Sequence, residues 1–314
     1  MEKISVVIPL YNKEKHIARA IGSVLSQTCA PFEIIVVDDG STDNGPEVVE
    51  GIGDAHIRLI RKPNGGVSSA RNRGIEEAEG ELIAFLDADD AWKPKFLESI
   101  LRLRDRFPQA GAYGTAYETY DGKTYWPVAY LGIPENDQDV IIPNFFESMH
   151  GQPPLWASAT AIPKAVLQDV GGFKTGEVVA EDVELWCRIA LKYEIAFTKQ
   201  LCATYYQDAD NRVYVRGKKH KKPTGYMDTL NQALLDPNLK ESFRRPLAVL
   251  REMVELGEVT SYLFAGMGKQ AREIYRSYSW KYLKKQALMW YTLSWLPPSF
   301  SEWLMGLKRK LAGK

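Results

Sequence analysis

The feature that most constrains the fold is an alternation that runs from residue 4 to about residue 107. Short β-branched or apolar runs at residues 4–10, 33–37, 57–60 and 82–86 are each followed by an amphipathic stretch, at 13–27, 46–51, 67–79 and 94–107. Alternation of this kind predicts a mostly parallel sheet covered by helices. In the first amphipathic stretch Ile17, Ala20, Ile21, Val24 and Leu25 fall at helical spacing and form a core-facing stripe. A chain of 314 residues has room for one large α/β domain with an appendage, or for two ordinary domains.

Acids punctuate the ends of two of these strands. Asp87, Asp89 and Asp90 follow the run Leu82, Ile83, Ala84, Phe85, Leu86, and Asp38 and Asp39 end the run Ile34, Ile35, Val36, Val37. The crevice outside the carboxyl ends of parallel strands is where open α/β sheets bind nucleotides. The competing reading of Asp38 and Asp39 is a solvated turn, since Asp-Asp-Gly-Ser-Thr-Asp is also good turn and helix-capping sequence. The Asp-x-Asp spacing at 87 and 89 lets one carboxylate meet a ribose hydroxyl and the other a hard divalent ion, Mg²⁺ or Mn²⁺. Zinc has no support, because the four histidines at 16, 56, 150 and 220 are scattered. The three cysteines, Cys29, Cys187 and Cys202, are too widely spaced for a disulfide framework and read as core fillers.

Two further segments carry chemistry. In the stretch from Lys62 to Asn72, Gly65 and Gly66 precede a helix, so their N–H groups are placed to face an anion or a base. The stretch lacks both the P-loop and the dinucleotide-fold glycine patterns, but Arg71 supplies a permanent cation one helical turn in. Later, Gly171, Gly172 and Phe173 precede Glu181 and Asp182 at a helix start. Acids there often complement the helix dipole, but the position after a Gly-Gly break argues for a place in the cleft. Between them, residues 110–160 read as irregular; a strand is expected at 157–162, a short helix from Lys164, a helix at 182–191 and a basic mobile loop over 207–225. Beyond residue 225 the chain reads as helical, with one stripe of Leu247, Leu250, Met253 and Val254 and another of Ile274, Tyr278 and Tyr282.

Taken in order, the stretches 6–12, 34–43, 64–72 and 85–90, then Gly171-Gly172-Phe173 with Glu181-Asp182, resemble a family 2 glycosyltransferase of the GT-A fold over about residues 1–210. The resemblance implies an α/β nucleotide-diphospho-sugar transferase domain at 1–225, with a nucleotide-sugar half at 1–110 and an acceptor half at 111–225, and a C-terminal helical region at 226–314. It implies that Pro9, Tyr11, Asp39 and Arg71 hold the nucleobase, typically uracil, that Asp87 meets the ribose or the metal, and that Asp89 ligates a divalent ion on the diphosphate. Asp182 matches the proposed base for an inverting displacement. Asp38, Glu181, Arg212, Arg216 and His220 are supporting candidates, although no clear histidine follows Tyr205 and Tyr206 as a further metal ligand. The Gln-x-x-Arg-Trp motif and flanking membrane helices of processive synthases are missing, which favours single additions. The implied function is transfer from a UDP-sugar to a carbohydrate or lipid-linked acceptor in cell-surface polysaccharide or glycolipid synthesis.

Partners and compartment follow from charge. Forty basic residues balance forty acidic ones, so no basic field marks a nucleic-acid binder. The exception is local: from 281 to 314, seven Lys or Arg stand against the single acid Glu302, with Trp290, Trp295 and Trp303 interleaved. That composition suits a membrane surface, and equally a helical pair packing its aromatics on the domain. Met1-Glu2-Lys3 leads into a strand with no signal-peptide pattern, so a cytoplasmic location is expected, peripheral at the membrane's inner face if 281–314 touch it. Two competing functions are a sugar nucleotidyltransferase, which would want a glycine-rich basic signature between Pro9 and Lys15, and a non-catalytic membrane scaffold, which would have no need to crowd carboxylates.

Overall fold

A computed structural model describes residues 2–177, 179–208 and 224–296. The chain forms two compact units, 1–212 and 213–314. In the first, the predicted alternation is present: β1 (Ile4–Leu10), α1 (Ile17–Leu25), β2 (Glu33–Asp38), α2 (Gly45–Ile52), β3 (Ile57–Arg61), α3 (Val67–Glu77), β4 (Leu82–Phe85), β5 (Ala91–Trp92) and α4 (Phe96–Arg106). The second half of this unit adds β6 (Ala112–Tyr120), β7 (Tyr125–Pro127), β8 (Asp139–Ile141), α5 (Phe145–Ser148), β9 (Thr160–Pro163), α6 (Lys164–Val170), α7 (Glu181–Lys192) and β10 (Ile195–Tyr206).

All ten strands join one sheet in the order β3-β2-β1-β4-β9-β6-β10-β5, with β7 on β6 and β8 on β10. β3, β2, β1 and β4 are parallel, so their carboxyl ends share one rim. β9 then runs antiparallel between β4 and β6, and β10 is parallel to β6. Because β9 reverses direction, β6 and β10 again point their carboxyl ends toward the rim of β1, β2 and β4. Ile17, Ala20, Ile21 and Val24 of α1 are fully buried in the same core as Val6, Ile8, Val36 and Phe96, whereas Leu25, the last residue of the expected stripe and of the helix, is exposed.

Two expectations need correction. Residues 110–160 are not uniformly irregular, since β6 is a nine-residue strand at the centre of the second half. The expected strand at 157–162 is split into a 3₁₀ turn at Ala157–Ala159 and the short β9. The turn is where Ser158 is held, as described below.

The second unit contains α8 (Thr224–Leu235), α9 (Glu241–Phe264), α10 (Gly268–Ser277) and α11 (Lys284–Leu293). Leu247 and Leu250 are buried as their stripe predicts, but α10 ends at Ser277, so Tyr278 and Tyr282 do not continue the helix begun by Ile274. The chain turns instead around Glu252 of α9, a buried carboxylate that accepts the amides of Lys281 (2.9 Å), Tyr282 (2.9 Å) and Leu283 (2.7 Å). It thereby satisfies backbone donors at the start of α11 that the helix itself cannot.

Candidate active site

The rim is built from the loops after β1, β2 and β4. Asp38 and Asp39, at the end of β2, are both buried yet serve different ends. Asp38 Oδ1 accepts the Ser41 amide at 2.9 Å and shapes the loop. Asp39 is gripped by the glycine segment: Oδ1 accepts the Gly65 amide at 3.0 Å, Oδ2 the Gly66 amide at 2.7 Å, and Lys62 Nζ pairs with Oδ1. The anion that the two glycine amides face is therefore the protein's own carboxylate. Gly66 sits at φ 85, a conformation that side chains rarely adopt, which lets the chain turn over Asp39 and enter α3.

Arg71, on the first turns of α3, is buried and bridges two acids. One guanidinium nitrogen donates to Asp87 Oδ1 at 2.7 Å and the other to Glu181 Oε1 at 2.8 Å, while the Phe173 ring lies 5.1 Å from the guanidinium carbon. Burial alone would lower its pKa, but the negative charges of Asp87, Glu181 and Asp182 more than reverse this and hold it above the usual arginine range. Arg71 thus ties the strand-end acid of the first half to the helix-start acid of the second.

The acids after β4 separate by environment. Burial raises the Asp87 carboxyl, against the pull of Arg71, and its amide donates to Ser158 Oγ at 3.0 Å. Asp89 Oδ2 accepts Lys13 Nζ at 2.7 Å, and the Asp89 carbonyl accepts from Arg19, whose guanidinium lies 3.6 Å from the centre of the Tyr206 ring. Asp90 is buried and acts as a tie: Oδ2 accepts the Ser158 hydroxyl at 2.7 Å and Oδ1 the Tyr206 amide at 3.1 Å. Burial first, then the charges of Asp89 and Asp87, push its pKa well above the carboxylate range. Its role is to fasten the 3₁₀ turn and the end of β10 to the loop after β4.

The contribution of the second half is fixed by a close approach. Asn72, next to Arg71, accepts the Phe173 amide at 2.8 Å and donates to the Phe173 carbonyl at 2.7 Å. A Cβ on Gly172 would lie 2.4 Å from Asn72 Oδ1, so only glycine fits there. Phe173 packs edge-on against Phe85 at 5.3 Å, and Arg188 of α7 donates to the carbonyls of Val170, Gly171 and Gly172. The turn into α7 passes through Ala180 at φ 61, a strained conformation for a residue with a side chain.

Directly after Ala180 come Glu181 and Asp182. Asp182 Oδ1 accepts the Val183 amide at 2.7 Å. Burial and the charge of Glu181 raise its pKa, Arg71 opposes them, and the result is a carboxyl near 7. Its charge also helps burial lift the phenol of Tyr117 on β6. Tyr117 touches Trp156 (4.8 Å), which touches Tyr205 (4.9 Å), so an aromatic wall stands beside the raised acid.

The structure therefore brings Arg71, Asp87, Glu181 and Asp182 together, with Asp39 and Asp89 on the same rim. Pro9 is buried in β1 beside Val37, and Tyr11, just past the strand, is exposed. Arg212, Arg216 and His220 lie outside the described residues. Sequence reasoning missed the Lys13–Asp89 pair, the Asn72 clamp and the tie at Asp90, because each depends on a partner far along the chain. Among the described residues no cluster of three or more His, Cys, Asp or Glu is arranged to hold a metal. Asp89, paired with Lys13, is the carboxylate that would hold a hard ion, since Mg²⁺ is commonly bound through one or two carboxylates together with substrate phosphates.

This strand order, with its acids gathered at one rim, is that of the GT-A fold. The chain belongs to glycosyl transferase family 2, whose family model matches residues 5–170. It is 46% identical over 104 residues to an uncharacterised glycosyltransferase of Nostoc sp., covering 32% of each chain. It is 38% identical over 133 residues to the glycosyltransferase GlyG of Streptococcus pneumoniae, covering 40% of this chain and 44% of GlyG. The chain thus spans about a third to under half the length of these relatives. Among solved structures, S. aureus TarS in complex with UDP-GlcNAc superposes with a TM-score of 0.61 at 20% identity, covering 87% of this chain and 83% of that one. At that identity the likeness concerns the fold.

Proposed function

We propose that the chain is an inverting glycosyltransferase that moves a sugar from a nucleoside-diphosphate donor, a UDP-sugar, to an acceptor hydroxyl in cell-surface polysaccharide or glycolipid synthesis. The observation that carries this is the meeting of Asp87 from the nucleotide half with Glu181 from the other half across Arg71, next to Asp182, whose carboxyl is raised to about 7. Family membership and the UDP-GlcNAc bound to TarS support a uridine nucleotide as the donor's carrier.

The base of the donor stacks on the exposed Tyr11 and reads the Asp39 carboxylate, which the Gly65 and Gly66 amides hold in place. Arg71 orients Asp87 toward the ribose. Asp89, which Lys13 pairs with at 2.7 Å, is the residue that would hold a divalent ion, Mn²⁺ or Mg²⁺, and Lys13 is a cation on the same rim for the diphosphate. When bound, the ion neutralises charge gathering on the leaving diphosphate. Asp182 takes the proton of the attacking acceptor hydroxyl; a positioned base of this kind contributes about 10²–10⁴-fold, and it works best when its pKa lies near the working pH. As the new glycosidic bond forms, the bond to the diphosphate breaks on the opposite side, and the anomeric configuration inverts. The wall of Tyr117, Trp156 and Tyr205 excludes water beside Asp182 and offers a face to a sugar acceptor.

A panel of nucleotide sugars, assayed with Mn²⁺ for binding by calorimetry and for hydrolysis or transfer, tests the reading. Binding and turnover of one uridine donor are expected. A chain that binds no nucleotide and turns over no donor would contradict it, and pyrophosphate release from a nucleoside triphosphate would favour a nucleotidyltransferase.

A further inference from the structure

Helix α11 is apolar on two sides. Its inner side packs Ala287, Trp290 and Leu293 against the small core of Val259, Leu263 and Ala271. On the outer side Leu288 and Met289 are about half exposed (49% and 48%), and Trp295 (62%) and Leu296 (40%) continue the same stripe in the closing turn. Leu288 and Met289 follow Lys284 and Lys285 at the helical spacing of four, Trp295 and Leu296 come seven and eight residues after Leu288 in the turn that closes α11, and Lys281 stands exposed just before the helix. A helix of a water-soluble unit ordinarily turns charge outward; here the stripe starts basic and ends apolar.

The neighbouring helix extends the pattern. Arg272 of α10 lies over the Trp295 ring at 4.0 Å, and Arg276 donates to the Tyr291 hydroxyl at 2.7 Å. Lys269 and Arg272 line a cavity of about 230 Å³ whose other walls include Leu263, Trp295 and Leu296. Cations set around an exposed Leu, Met and Trp match a surface with anionic headgroups above hydrocarbon. Among the described residues no helix is long and apolar enough to cross a membrane, so the contact is with the interface.

We infer that the outer stripe of α11, with the basic residues of α10 beside it, docks the protein on an anionic lipid bilayer, Leu288, Met289, Trp295 and Leu296 entering the headgroup layer and Lys281, Lys284, Lys285 and Arg272 pairing with lipid phosphates. This surface takes no part in donor chemistry, so its failure and the failure of the proposed activity read out separately.

The full-length chain is tested by co-sedimentation with vesicles of phosphatidylcholine mixed with phosphatidylglycerol, and with phosphatidylcholine alone. Preferential, salt-sensitive binding to the mixed vesicles is expected. Lys284→Gln with Lys285→Gln should weaken partition by about thirtyfold at low salt, taking each base near an anionic surface at its usual worth. Leu288→Ser with Met289→Ser should weaken it at any salt, and hydrolysis of a soluble donor should stay unchanged in both variants. Both pairs are exposed, so folding is spared, which circular dichroism checks. Equal binding to both vesicle types, no binding to either, or variants that sediment like wild type would overturn the inference. So would a dimer in vesicle-free solution that the Leu288 and Met289 changes dissociate, since the stripe would then be an interface between copies.

Discussion

Asp39 and Asp89 of the first half and Asp182 of the second meet different surroundings, while Asp87, which Arg71 holds, is raised by burial as Asp182 is. On the strand-end side, Asp39 is surrounded by two amides and Lys62, and Asp89 is paired with Lys13, so both carboxylates are met by positive partners. At the start of α7, Asp182 has burial and a neighbouring Glu181 acting against its charge, with Arg71 and one amide opposing them. A carboxylate held by amides and cations is suited to keep a fixed place in a binding rim. One destabilised to about 7 is suited to take up a proton and give it back. In the proposed function the first of these environments serves donor binding and the second proton transfer.

The largest expected effect on that contrast is at Asp182. Asp182→Asn should cut turnover by about 10²–10⁴-fold while leaving donor affinity within about twofold of wild type, read by steady-state kinetics and calorimetry. Equal turnover would remove Asp182 as the base. Next, Arg71→Met removes the buried cation shared by Asp87 and Glu181 and leaves two partly exposed acids facing each other. Chemical denaturation should show a loss of about 2–3 kcal/mol, below the cost of orphaning a fully buried charge. A loss below about 1 kcal/mol would mean the bridge is not integral to the fold.

Asp89→Ala should lower donor affinity in Mn²⁺ by about a hundredfold and erase the difference between titrations with Mn²⁺ and with chelator. A metal response that survives would place the ion elsewhere. The smallest effect should come from Gly172→Ala, which forces Asn72 from the Phe173 backbone. About 1–3 kcal/mol of stability should be lost, through overpacking and unpaired amide groups. If Asn72→Ala costs nothing further in that background, the two changes break the same clamp.

Much of the first half was legible in the sequence because its signals are local. Strands such as β2 and β4 are near-continuous apolar runs buried on both faces, and acids stand at or within two residues of their ends. β6 and β10 were not legible. Both are also buried over most of their length, but β6 is written mostly in Ala, Tyr, Thr and Gly, with Gly114 tucked under Leu155, and β10 is interrupted by Lys199 and Gln200, so neither shows a β-branched run or clean alternation. The site repeats the lesson. Asp87, Asp89 and Asp182 were identified from strand ends and motif order, but their division of labour comes from Arg71, Lys13 and Ser158, which lie at distances of 16 to 110 residues in the chain from the groups they hold.

The central claim, that the second half supplies a base whose pKa burial has moved to about 7, is tested most directly by the pH dependence of kcat/KM with a saturating divalent ion. Asp182 works only when deprotonated, so kcat/KM should fall about tenfold per unit on the acid side of a limb near 7, while donor binding measured over the same range shows no matching loss. The limb should vanish in Asp182→Asn. A wild-type limb near the ordinary carboxylate value of about 4, or one near neutrality that persists in Asp182→Asn, would contradict the assignment.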